Sequence, residues 1–143
     1  MKLLIINGPN LNLLGKRQPE IYGSTTFEQF FADLQFHFQE IELASFQSNV
    51  EGELINKLHE AQEENFDGVI INPGAYTHTS LAIADAVSSI ETAVVEVHIS
   101  NVMDREEIRH ISMISKNAAG TIAGFGLDGY KLAIQSFLNM RDK

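Results

Sequence analysis

Residues 8 to 24, GPNLNLLGKRQPEIYGS, bring two asparagines, two cations and a tyrosine into one polar stretch after an apolar run. Tyr22 stands five residues from Arg17 and six from Lys16, and Gly15, Pro19 and Gly23 shape the backbone around them. Free tyrosine has a pKa of about 10, so roughly one in a thousand is ionised at neutral pH. An arginine a few ångströms away lowers a neighbouring acid's pKa by about 1–3 units, which would make tyrosinate a usable base. A connection this long between a strand and a helix is unusual in a compact domain and is commonly functional. The competing reading is a surface tyrosine in a mobile loop.

A second polar cluster, INPGAYTHTS, spans residues 71 to 80. Pro73 and Gly74 turn the chain sharply away from a strand, and Thr77 or Thr79 can cap a following helix. Asn72, Tyr76 and His78 crowd at the strand end, where ligand contacts are frequent; a turn plus cap with an exposed histidine is the plainer account. In VVEVHISN, residues 94 to 101, alternation places Glu96 and His98 on one face of a strand. A carboxylate two residues from an imidazole can orient the ring and keep it cationic, as a general acid requires. Arg105 and Arg109 are spaced i, i+4 and would share one face of a short helix. They could grip a carboxylate or pair with Asp104 or Glu106. GFGLDG, residues 124 to 129, matches G-x-G-x-x-G literally. One helix follows it and no acidic residue stands about 20 positions on, so it reads as a tight strand-to-helix turn rather than a dinucleotide site.

Strand and helix patterns alternate around these clusters. Leu3–Ile6, Ile41–Phe46, Val69–Ile71, Ala93–Ile99 and Thr121–Ala123 read as short strands. Phe27, Phe30, Phe31, Leu34 and Phe38 line one helix, with Thr25 and Glu28 as its capping box. Leu54, Ile55, Leu58 and Ala61 line the next, capped by Ser48 and Glu51; a helix covers Leu81–Ile90, a short one starts at Asp104, and Tyr130, Ile134, Phe137 and Leu138 line the last. Five apolar strands separated by helices imply a parallel sheet covered on both faces. Right-handed crossovers then favour an α/β, flavodoxin-like, doubly wound sheet formed by one domain over residues 1–143. Its ligand crevice would lie at the carboxyl ends of the strands, gathering Asn7, Asn10, Asn72 to His78 and His98 to Asn101.

The chain has 143 residues, 44% of them hydrophobic, and a formal net charge of −9. That balance opposes nucleic acid as a partner, since no basic face is visible, yet a small anion needs only one or two local cations. Without cysteine there is no disulfide, thiol catalysis or thiolate-bound metal, and the histidines show no metal-ligand spacing. No apolar run approaches membrane-spanning length, and the first strand begins too early for a signal peptide. The expectation is a soluble, cytoplasmic protein without metal.

Taken together, NGPNLNLLGKRQPEIYG, QSNVEGELI, INPGAYTHTS, VEVHISNV, REEIRH and GFGLDGY closely resemble, in order and nearly end to end, the type II 3-dehydroquinate dehydratases. The resemblance implies elimination of water from 3-dehydroquinate to give 3-dehydroshikimate, with no metal or organic cofactor, in the shikimate pathway or a quinate route. It implies that Tyr22 removes the proton alpha to the ketone and that Arg17 keeps Tyr22 ionised. Asn10 would position a water against the developing enolate oxygen, His98 would protonate the departing hydroxyl, and Glu96 would orient His98. Asn72, His78, Ile99 (through its backbone), Ser100 and Arg109 match substrate-binding positions. Asp85 matches a residue that reaches a neighbouring subunit's site in a dodecamer built from trimers. Ile111, Ala84 and Met103-Asp104 depart from the family pattern and bear on subunit contacts or affinity rather than on the acid and base.

Two other classes compete. A phosphate-accepting receiver needs clustered acids after the first strand and a lysine after the fifth, where this chain carries asparagines and glycines. A flavin binder needs a phosphate-cradling loop after the first strand, which LNLLG does not supply. A further possibility is an inactive homologue kept for assembly, against which every proposed catalytic position is filled.

Overall fold

The computed structural model describes residues 1–16 and 19–143, except for the side chains of Ile21 and Tyr22. The expectations for Arg17 and for the Tyr22 phenol therefore lie outside the described residues. Along the chain come β1 (Lys2–Asn7), α1 (Pro19–Tyr22), α2 (Phe27–His37), β2 (Glu42–Gln47), α3 (Glu51–Glu63), β3 (Gly68–Asn72), α4 (Leu81–Ser89), β4 (Ala93–His98), β5 (Gly120–Ala123) and α5 (Asp128–Arg141). The five strands run parallel in the order β2-β1-β3-β4-β5. This is the flavodoxin-like, doubly wound arrangement expected from the alternation.

Period-two side-chain alternation divides each central strand between two cores. Leu3, Ile5, Ile70, Val95 and Val97 face α2 and α5, meeting Phe27, Phe30, Leu34, Tyr130, Ile134 and Phe137. Leu4, Ile6, Val69, Ile71 and Val94 face α3 and α4, meeting Leu54, Leu58, Ala61, Ile83 and Val87. The helical residues recur at three- and four-residue spacing, so each helix buries one stripe. Strands covered on both faces carry no polar alternation, which is why β1 and β3 read as continuous apolar runs.

Several local expectations shift. The capping box of α2 is Thr26 with Gln29, one residue later than Thr25 and Glu28: Thr26 is extended (φ −73°, ψ 159°), its hydroxyl accepts from the Gln29 N–H and Gln29 Oε1 accepts from the Thr26 N–H. Ser48 does not cap α3. It accepts from the Val50 N–H at 2.9 Å and donates to Glu53 at 2.5 Å, bracing the turn before the helix. Ser80, rather than Thr77 or Thr79, caps α4 through the Ile83 N–H at 2.9 Å, because Thr77 is turned inward and fully buried. The helix expected from Asp104 is instead two 3-10 turns, Val102–Asp104 and Glu107–Arg109, split by an extended Arg105 (φ −115°, ψ −171°). Arg105 and Arg109 therefore share no helix face.

Candidate active site

A cavity of about 130 Å³ opens at the carboxyl ends of β1, β3 and β4. The chain leaves β1 for β2 on one side while β3 pairs on the other, so this is the switch point where open α/β sheets leave a crevice. Pro9, Asn10, Leu11, Asn72, Gly74, His78, His98, Ile99, Ser100, Arg105 and Arg109 are among its walls. Among the described residues its lining holds Arg105 and Arg109 and no carboxylate.

The first wall is set by a close backbone approach. The Gly8 N–H donates to the Asn72 carbonyl at 2.7 Å, and a Cβ on Gly8 would lie 2.5 Å from the Pro73 carbonyl oxygen. Only glycine fits there without moving backbone. Two residues on, Asn10 adopts a left-handed conformation (φ 69°), which asparagine tolerates better than most residues. Its N–H donates to Asn49 Oδ1 at 3.0 Å.

The second wall is Asn72, where β3 ends. It is 3% exposed, and its Oδ1 accepts from the Gly74 N–H at 3.2 Å. Farther along, the His78 Nδ1 lies 2.8 Å from the Ile111 carbonyl. A carbonyl oxygen can only accept, so Nδ1 carries the proton. The contact uses backbone, so the departure at Ile111 does not alter it; the Ile111 and Met103 side chains are exposed and Ala84 is buried.

The third wall holds the acid pair. Glu96 is wholly buried, and its Oε1 lies 2.9 Å from His98 Nε2. Thr77 donates to the same oxygen. Ser112 donates to Oε1 at 2.8 Å and lies 3.1 Å from Oε2, while Thr121 reaches Oε2 at 3.3 Å. Burial pushes the Glu96 carboxyl up, but the hydrogen bonds from His98, Thr77 and Ser112 outweigh it, and the pKa falls below its ordinary value. An ionised carboxylate only accepts, so His98 Nε2 carries a proton. Among the described residues the His98 Nδ1 has no protein partner, and His98 is one of the cavity's walls. The His78 ring lies alongside, 6.3 Å between centroids.

Arg109 donates through Nε to Glu106 at 3.0 Å, and Arg105 Nη1 comes within 3.5 Å of Ser100 Oγ. The fold thus gathers Asn10, Asn72, His78, His98, Ile99, Ser100 and Arg109 around one cavity, with Glu96 behind His98. Asp85 is not among them: it sits on the exposed side of α4. Sequence reasoning missed the cradle of Glu96. Thr77 read as a helix cap and Thr121 as a strand residue, while Ser112 lies in a loop with no periodicity; an acid alone in an apolar strand was the signal that donors had to converge on it.

Residues 1–138 match the family described as "Dehydroquinase class II". The chain is 58% identical over 135 residues to the 3-dehydroquinate dehydratase of Bacillus pumilus, covering 92% of this chain and 90% of that one. It is 53% identical to the 3-dehydroquinate dehydratase of Bacillus licheniformis, over 99% and 98% of the two chains. The crystal structure of type II dehydroquinase from Butyrivibrio crossotus superposes with a TM-score of 0.93 at 48% identity, covering 96% of this chain and 97% of that one.

Proposed function

Since the chain belongs to the class II dehydroquinase family, we propose that it is a hydro-lyase converting 3-dehydroquinate to 3-dehydroshikimate without a cofactor. The observation that carries the reading is the buried Glu96 carboxylate pinning His98 Nε2, which leaves Nδ1 to act inside a cavity walled by Arg105 and Arg109.

In this proposal Tyr22, ionised beside Arg17, takes the proton alpha to the substrate ketone. The C–H electron pair becomes an enolate, and a water held by Asn10 donates to its oxygen. The enolate collapses to the conjugated enone as the bond from carbon to the beta hydroxyl breaks. His98, doubly protonated against Glu96, gives its Nδ1 proton to that hydroxyl, which departs as water. Tyr22 has then gained one proton and His98 has lost one, so a return transfer through solvent resets the site. Because the alpha proton is already acidified by the ketone, a matched base and preorganised donors lower the barrier without covalent catalysis. Asn72, His78, Ser100, the Ile99 backbone and Arg109 bind the substrate.

The same proposal makes residues 1–143 one catalytic domain, cytoplasmic, assembled as a dodecamer of trimers. Asp85 then belongs to a neighbouring subunit's site, consistent with its exposure on α4. The test is to add 3-dehydroquinate to metal-stripped and to borohydride-treated protein and to follow the ultraviolet absorbance of the enone. Turnover should survive both treatments. Tyr22→Phe should assemble normally and lose about 10²–10⁴-fold in kcat, the usual worth of a general base; substantial activity in that variant would remove tyrosinate from the mechanism.

A further inference from the structure

Tyr130 is a phenol at 0% exposure in the middle of the α2/α5 core. Its ring centroid lies 5.5 Å from that of Phe27 and 5.8 Å from that of Phe30. Its hydroxyl reaches the ends of β1 and β3, where Asn7 and Asn72 stand opposite each other in register. We propose that Tyr130 is a positioning residue that locks the Asn72 side-chain amide in one orientation, so that Asn72 offers the cavity a fixed N–H donor. The inference rests on the dehydratase reading only for its kinetic arm.

Proton counting fixes the orientation. The Gly74 backbone N–H can only donate, so the Asn72 atom 3.2 Å from it is Oδ1. Asn72 Nδ2 therefore faces Tyr130 and donates to its hydroxyl at 3.1 Å. The phenol has a single proton, and it goes to Asn7 Oδ1 at 2.7 Å. Were the Asn7 amide reversed, two N–H groups would point at one buried hydroxyl whose own proton had no acceptor, a costly arrangement. Asn72 Nδ2 keeps a second hydrogen with no acceptor among the described residues, and Asn72 is a wall of the cavity. A ligand atom meeting that hydrogen must be an acceptor, such as a carboxylate, hydroxyl or carbonyl oxygen. Burial holds the phenol neutral by pushing its pKa well above the usual tyrosine range, so the lock persists across physiological pH.

Tyr130→Phe keeps the ring between Phe27 and Phe30 and removes only the hydroxyl. Its KM for 3-dehydroquinate should rise about tenfold, the equivalent of roughly 1.4 kcal/mol, with kcat within about threefold of the parent. Asn72→Ala combined with Tyr130→Phe should be no worse than Asn72→Ala alone, because Tyr130 acts only through Asn72. Additive losses, or a fall in kcat at unchanged KM, would overturn the proposal. Asn7→Leu supplies a second route: the orphaned phenol proton then competes for Asn72, and the same rise in KM should follow. An arm independent of turnover is the Asn72 side-chain amide in ligand-free protein. Its protons should exchange with solvent at least tenfold faster in Tyr130→Phe than in the parent, and equal rates would refute the lock. An absence of turnover in the parent protein would count against the dehydratase reading, leaving this exchange measurement to decide the role of Tyr130.

Discussion

Replacing Thr77 by valine isolates the worth of one hydroxyl on the Glu96 carboxylate. Thr77 is wholly buried; its hydroxyl donates to Glu96 Oε1 and lies 3.3 Å from Ser112 Oγ. Valine reproduces the shape and removes the donor. A hydrogen bond to a charged group contributes about 1.5–3 kcal/mol, against about 0.5–1.5 kcal/mol for a neutral one. Glu96 titrates below its ordinary range in the folded state, because His98, Thr77 and Ser112 together outweigh the upward push of burial. A depressed folded pKa stabilises the protein above the unfolded carboxyl's pKa of about 4.3, and that contribution is lost as pH falls through the folded value. Removing Thr77's donor should raise the folded pKa back toward the ordinary carboxyl value, because one of the hydrogen bonds that favour the charged form is gone. Thr77→Val should therefore cost about 1.5–3 kcal/mol at pH 7 and only the neutral bond's share once Glu96 is protonated in both proteins. Urea midpoints and slopes from pH 7 down through the pH at which Glu96 of the parent protein becomes protonated, at one protein concentration, measure this. A destabilisation of the same size at both ends of that range would mean that valine merely packs badly and that no charge-assisted bond was lost.

Two further substitutions separate backbone fit from ligand recognition. Gly8→Ala places a methyl 2.5 Å from the Pro73 carbonyl and should destabilise by about 1–3 kcal/mol, the usual cost of overpacking, read as a lower urea midpoint at unchanged slope; an unchanged midpoint would show that the β1 and β3 ends part freely. Arg109→Ala should lower kcat/KM for 3-dehydroquinate by about 10–100-fold, as expected for a charged hydrogen bond of about 1.5–3 kcal/mol. It should shift stability by less than about 1 kcal/mol, because its partner Glu106 is 65% exposed. A stability loss with full activity would make Arg109 a structural residue.

Elements were legible wherever burial was two-sided or strictly periodic. β1 and β3 appear as apolar runs because both faces are covered, and α2, α3 and α5 as stripes because one face is. Ends were less legible. Thr25 and Thr26 are adjacent and chemically equal as caps, and only the backbone dihedrals at Thr26, with Gln29 in reach, select between them. The segment after β4 misled for a different reason: Arg105 and Arg109 have helical spacing, but an extended Arg105 breaks the helix, and both residues still line one cavity.

The order of strands and helices, the absence of thiol chemistry and the pairing of Glu96 with His98 follow from the sequence alone, because alternation and composition are local properties. So does the likeness of the polar clusters to one enzyme family, since those motifs are long and ordered. What the tertiary structure decided is convergence. Thr77, Ser112 and Thr121 come from three separate segments to meet Glu96, and Asn7, Asn72 and Tyr130 meet across as many as 123 positions of chain. Such contacts have no spacing to read. They exist because a buried carboxylate and a buried phenol each need partners, and the parallel sheet brings the carboxyl ends of β1, β3 and β4 to the one place where those partners can be supplied.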